Sequence, residues 1–190
     1  MSSQPAPQSP SRPIGVLVLG LGNVLLGDDG LGAAAIARIE RDYRIAPEVR
    51  LEDGGTLGLS LLGLLADSDK VILVDAVRAD APPGSLVRLD GADVAGAVRD
   101  RLSPHQVGVA DLLDAARLID RYPSELVLLG LVPDAIELSV ARSNAVDGGL
   151  ERLVAAVVRE VQNLGYEIVP ETESAPGHRA SHGLARHFGM

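Results

Sequence analysis

GLGNVLLGDDGLG, residues Gly20 to Gly32, stands between an apolar run, Val16 to Leu19, and an alanine-rich segment in which Ile36, Ile39 and Tyr43 recur at helical spacing. It therefore reads as the turn from a first strand into a first helix. Its glycines allow a tight turn or a close backbone approach. In open α/β sheets such turns, at the carboxyl ends of strands, are where ligands are held, and here an acidic pair, Asp28 and Asp29, occupies that position.

Outward from this turn the pattern repeats. Val49 to Leu51 reads as a second strand ending in Glu52, Asp53, Gly54, Gly55 and Thr56, and Leu57 to Ala66 as an apolar helix. Val71 to Val74 is a third strand, buried on both faces and ending at Asp75. Leu86 to Leu89 follows the turn formers Pro82, Pro83 and Gly84, and the short connection predicts a strand antiparallel to its predecessor. A polar stretch then leads to His105 in a loop before a helix carrying Val109, Leu112, Leu113 and Ala116 on one face. Leu126 to Leu131 is an apolar strand closed by Pro133. A last helix starts near Ser143 or Asn144, runs as a stripe from Leu150 to Leu164, and is capped by Gly165. Strands alternating with helices predict a three-layer α/β/α sandwich around a mostly parallel, twisted sheet of about five strands. The expected organisation is one domain over residues 14–170 between disordered tails at 1–13 and 171–190, both poor in residues that could be buried.

Composition narrows the function. The 190 residues carry a formal net charge of -9, a field that repels nucleic acid and anionic membranes, and only 2% aromatic residues, too few for base-stacking platforms. No apolar run approaches the ~20 residues that span a bilayer, and the N-terminus lacks a signal-type apolar core. A cytoplasmic protein with no nucleic-acid or membrane partner is expected. There is no cysteine, so thiolate chemistry and disulfides are excluded, leaving carboxylate and imidazole as metal donors. Of four histidines, His178, His182 and His187 fall in the expected tail, so His105 is the single imidazole of the domain.

Three strands thus lead to acids: Asp28 and Asp29, Asp53, and Asp75. If these strands are parallel, the carboxylates share one edge of the sheet, and with His105 they make a donor set suited to zinc, nickel or a similar divalent ion. Each acid also has a structural reading. Asp28 is placed to cap a helix, Asp29 to favour its dipole, and Asp53 to hold a turn before two glycines. Asp75, directly after an apolar strand, requires a partner. His105 alone would be read as an ordinary surface residue. A dinucleotide site is a rival: Gly20 and Gly22 begin G-x-G-x-x-G and Asp53 ends the second strand. However, Leu25 replaces the third glycine, and the acidic pair lies where a pyrophosphate would sit. A P-loop and a G-x-S-x-G serine motif are both missing.

Taken together, GLGNVLLGDDGLG, LEDGGTLGLSLL, VILVDAV and SPHQVGVADLL, in this order and at these intervals, resemble the hydrogenase maturation endopeptidases of peptidase family M52 over roughly Ile14 to Pro170. The resemblance implies an enzyme, a metal-dependent endopeptidase of aspartic or metallo type. It would remove a C-terminal extension from the nickel-loaded large-subunit precursor of a nickel-iron hydrogenase. The family's three metal-contacting positions fall on Asp29, Asp75 and His105, with Asp29 standing where some members carry Glu. Nickel would be supplied by the precursor itself. Asp53, Gly54, Gly55 and Thr56 match a further motif and would shape the substrate cleft. The alternative is a non-catalytic metal-sensing chaperone that holds the same precursor; a dinucleotide-binding protein is the third reading.

Overall fold

Alternation within the apolar runs builds the centre of the molecule. The computed structural model describes residues 14–99 and 104–171, with the backbone alone at 99 and 104–107; the two tails, with His178, His182 and His187, lie outside the described residues. Strands β1 (Ile14–Leu21), β3 (Val49–Gly55), β4 (Ser68–Ala76) and β6 (Glu125–Leu131) run parallel, and β5 (Leu86–Asp90) runs antiparallel on β6. The order across the sheet is β3-β1-β4-β6-β5. The fifth strand therefore has the expected direction, but its neighbour is β6 rather than β4.

Successive residues of each strand face opposite layers. Val16, Val18, Ile72 and Val74 pack under α1 (Leu31–Asp42) and α5 (Asn144–Asn163). Leu17, Leu19, Val71 and Leu73 pack under α2 (Leu62–Ala66), α3 (Gly91–Arg99) and α4 (Pro104–Leu118). This is the α/β/α sandwich expected from the sequence. On the α1 side the facing strand residues are mostly β-branched and short beyond Cβ, and Gly32 lets the helix lie directly on the strands. A side chain there would meet the Leu21 carbonyl oxygen at 2.2 Å and that of Val74 at 2.6 Å. At the far side of the sheet Glu160 of α5, buried, accepts two hydrogen bonds from Arg88 of β5 at 3.0 and 3.1 Å, tying the last helix to the antiparallel edge.

Several elements depart from the periodicity. Tyr43 does not continue the helical stripe of Ile36 and Ile39. It opens β2 (Tyr43–Ile45), which pairs antiparallel with β7 (Ile168–Pro170); three residues are too few for an alternation to register. The Glu171 N–H extends this pair by donating to the Asp42 carbonyl at 2.7 Å. The apolar stretch from Leu57 begins as a 3-10 turn, Gly58–Leu61, before α2, because Gly58, at φ +50°, lies against the backbone of Gly108. α3 fills the stretch read as polar connection, and of its described side chains Val94 and Val98 are buried. α5 starts where expected, with the Ser143 hydroxyl accepting from the Val146 N–H at 3.3 Å as N-cap. It ends at Gly165 in a left-handed conformation, φ +90°.

Candidate functional site

Because β1, β3 and β4 are parallel neighbours, the acids that follow or end them come to one edge. Gly20 of β1 pairs with Asp53 on one side and Val74 on the other, so the exits of all three strands are level. β1 passes into a 3-10 turn, Gly27–Gly30, which carries Asp28 and Asp29 and packs against β4.

Asp29 is fully buried. Its Oδ2 accepts from the Asn23 N–H at 2.8 Å, which satisfies one oxygen of a carboxylate that is expensive to bury. Gly22, at φ +117°, makes this possible, since a Cβ there would fall 1.8 Å from the Asp29 carbonyl oxygen. Gly22 in turn donates its N–H to the Gly55 carbonyl at 3.1 Å, which brings the segment Asp53 to Thr56 beside Asp29. Gly20, Gly22 and Gly32 of the opening turn therefore serve the chain's own close packing.

Asp75 is the penultimate residue of β4 and is also buried. Its Oδ1 accepts from the Ala76 N–H at 2.7 Å, and its backbone lies so close to β6 that a side chain on Gly130 would meet the Asp75 carbonyl at 2.0 Å. By alternation with Leu73 and Val77 it belongs to the face that α4 covers.

His105 lies in the first turn of α4 rather than in a loop before it. Pro104 opens this helix, its fixed φ and missing N–H suiting a first helical position. The backbone of His105 is one turn before Gly108, which touches Gly58 just beyond Thr56. Among the described residues no three His, Asp or Glu side chains gather as metal ligands; the His105 side chain is not among them. Asp53 is exposed, and its Oδ1 accepts from the Gly55 N–H at 3.1 Å, which is the turn-holding role open to it from the sequence.

Asp28 does not cap the helix beside it. The 3-10 turn and α1 have no side-chain cap. Instead Asp28 reaches across to the segment after β6. It accepts from the N–H groups of Asp134 at 2.8 Å, Ala135 at 3.3 Å and Ser143 at 2.6 Å, and from the Ser143 hydroxyl at 2.9 Å. That hydroxyl is the one that caps α5. Partners more than 100 residues away leave no trace in local sequence, so this role was not readable there. Burial pushes the Asp28 carboxyl up, but these hydrogen bonds outweigh it and hold its pKa below the ordinary value.

The folded pKa thus lies below that of the unfolded chain, so Asp28 contributes fully above about pH 4 and the contribution is lost as pH falls through the folded value. Asp28→Ala is expected to lower stability by roughly 2–4 kcal/mol. Asp28→Asn should flatten the acid limb of the stability–pH curve; urea unfolding across the acid range checks both.

Buried carboxylates on adjacent strand exits, at the edge where open α/β sheets carry their sites, point to an enzyme. The comparisons with known proteins agree. A family model described as HycI, hydrogenase maturation protease, matches residues 34–160. The chain is 33% identical over 156 residues to the hydrogenase 2 maturation protease of Escherichia coli K12, covering 82% of this chain and 95% of the relative. It is 36% identical over 159 residues to the hydrogenase expression/formation protein HupD of Rhodobacter capsulatus, covering 83% and 76%. The solved structure of the hydrogenase maturating endopeptidase HybD from E. coli superimposes with a TM-score of 0.80 at 34% identity, over 84% of this chain and 99% of that one. This chain belongs to the hydrogenase maturation protease family. It is a hydrolase acting on peptide bonds, an endopeptidase of hydrogenase maturation. Among the described residues no helix is long and apolar enough to cross a membrane.

Proposed function

We propose that this protease removes a C-terminal extension from the nickel-loaded large-subunit precursor of a nickel-iron hydrogenase, and that Asp29, Asp75 and His105 meet the nickel carried by that substrate. The observation that supports the reading most is the pair of buried carboxylates on adjacent strand exits, Asp29 and Asp75. Oxygen and imidazole donors suit a divalent ion of nickel's kind. Held by these three side chains, the substrate's ion would polarise the scissile carbonyl or activate water for the hydrolysis. Asp29 and Asp75 are buried in this structure, so this reading requires that docking of the precursor uncover them. Asp53, Gly54, Gly55 and Thr56 form the adjoining wall of the cleft. The reaction takes place in the cytoplasm.

The test is incubation with nickel-loaded and nickel-free precursor, reading C-terminal shortening by mass spectrometry. Shortening of the loaded form alone is expected, and a loaded precursor left intact would overturn the reading. His105→Ala is expected to abolish shortening; because His105 lies in the first turn of α4, circular dichroism on the same sample must show that the helix content is kept.

A further inference from the structure

Apolar side chains left in water are distributed unevenly. Nine large ones are exposed among the described residues. Six of them, Val24 and Leu25, Leu57 and Leu59, and Leu138 and Val140, lie in the segments that follow β1, β3 and β6, all at the edge that holds Asp29 and Asp75. A seventh, Leu86, begins the antiparallel β5 opposite Leu131 and so falls at the same edge. The other two, Leu118 and Ile119, end α4 at the opposite edge. Leu138 and Val140 are 86% and 82% exposed. Exposed apolar groups gathered in one place mark a surface that meets another macromolecule.

Two of these loops are hydrogen-bonded into one lip. Leu26 bridges to Ser139 in parallel fashion, Gly27 donates its N–H to the Ser139 carbonyl at 2.7 Å, and Ser139 donates to the Leu25 carbonyl at 3.0 Å. Asp28 fastens the base of the second loop through Asp134 and Ser143, beside a cavity of about 160 Å³. The lip is also joined to the proposed chemistry: Asn23 donates its N–H to Asp29 and, through Oδ1, accepts from the Leu25 N–H at 2.9 Å. The residue that holds the carboxylate therefore also holds an exposed leucine of the lip.

We infer that the lip built from Val24, Leu25, Leu138 and Val140 is the docking surface for an apolar segment of the precursor flanking its scissile bond. The inference rests on the proposed processing of that precursor. Continuity with Asp29 selects the occupant. A second copy of this chain seated here would cover the edge on which Asp29 and Asp75 lie and would block the reaction, whereas the substrate must come to that edge.

The experiment compares wild type, Leu138→Ser with Val140→Ser, and Leu25→Ser, using Leu118→Ser with Ile119→Ser as the control of equal chemistry at the opposite edge. All of these sites are solvent-exposed, so the fold should tolerate the changes. Binding of nickel-loaded precursor is followed by titration calorimetry, and processing by initial rates. The lip variants are expected to weaken binding and raise KM by about tenfold or more, with the loss in KM rather than kcat, while the control pair binds as wild type does. Equal affinity in the lip variants and wild type overturns the inference, as does an equal loss in the control pair. A concentration-dependent dimer in sedimentation that Leu138→Ser dissolves would also overturn it, assigning the surface to self-association. If wild type binds the precursor but does not shorten it, the processing reading fails while the binding comparison still decides the surface.

Discussion

Gly32→Ala is expected to destabilise the protein by about 4 kcal/mol or more, a large part of the ~5–15 kcal/mol that keeps a domain folded. The methyl group would sit 2.2 Å from the Leu21 carbonyl oxygen, 2.4 Å from the Leu21 nitrogen and 2.6 Å from the Val74 carbonyl oxygen. All three atoms are backbone of the two central strands and cannot swing aside as the end of a side chain would. Relief requires α1 to lift from β1 and β4, which opens the layer formed by Leu31, Ala35 and Ile36 over Val18, Ile72 and Val74. Gly148→Ala is the counterpart. Gly148 is an exposed helical glycine, and an alanine methyl there would meet nothing within 4 Å, so the substitution should stabilise by roughly 0.5–1 kcal/mol. Denaturant midpoints for the two variants should move in opposite directions; a Gly32→Ala protein as stable as wild type would show that α1 does not lie as closely on the sheet as described.

The two glycines at the start of α5 show where sequence stops being informative. Gly148 and Gly149 carry the same propensity cost of about 1 kcal/mol inside the last helix. Gly149, however, packs against Leu131 and the Gly84 carbonyl, where a Cβ would come within 2.7 and 3.0 Å, and Gly148 meets nothing. The difference lies in the tertiary environment, not in the residue. Layers and parallel strands were legible because four apolar runs separated by helical stripes admit few arrangements. The edge at which Asp29, Asp53 and Asp75 collect followed from that topology. The short strands β2 and β7 and the sparse helix α3 were not legible, since Tyr43–Ile45, Ile168–Pro170 and the pair Val94 and Val98 carry too little periodic signal. Asp28 was misassigned for a related reason. Its position before a helix suggested a local cap, whereas its partners Asp134, Ala135 and Ser143 are brought to it only by the return of the chain from β6.

Asp75→Asn is expected to lower processing of nickel-loaded precursor by roughly a thousandfold or more while leaving the protein folded. The substitution is chosen because it separates the carboxylate's charge from its shape. Asparagine keeps an oxygen that can accept from the Ala76 N–H, the hydrogen bond Asp75 makes at 2.7 Å, and it fits the volume of a site that is almost wholly buried. What it removes is the negative charge, which makes a carboxylate oxygen a stronger donor to a divalent ion than a neutral amide oxygen. The variant is expected to keep the wild-type circular-dichroism spectrum and a cooperative thermal transition while activity falls. A loss of both would instead assign Asp75 to the structure of the β4–β6 edge, where Gly130 already admits its backbone closely. Retained processing would remove Asp75 from the metal-facing set altogether. Asp29 is open to the same separation, since its bond from the Asn23 N–H also needs only an acceptor oxygen. If the two carboxylates act on one ion, the double variant should lose little beyond the larger single loss, because groups that work as a unit are not additive.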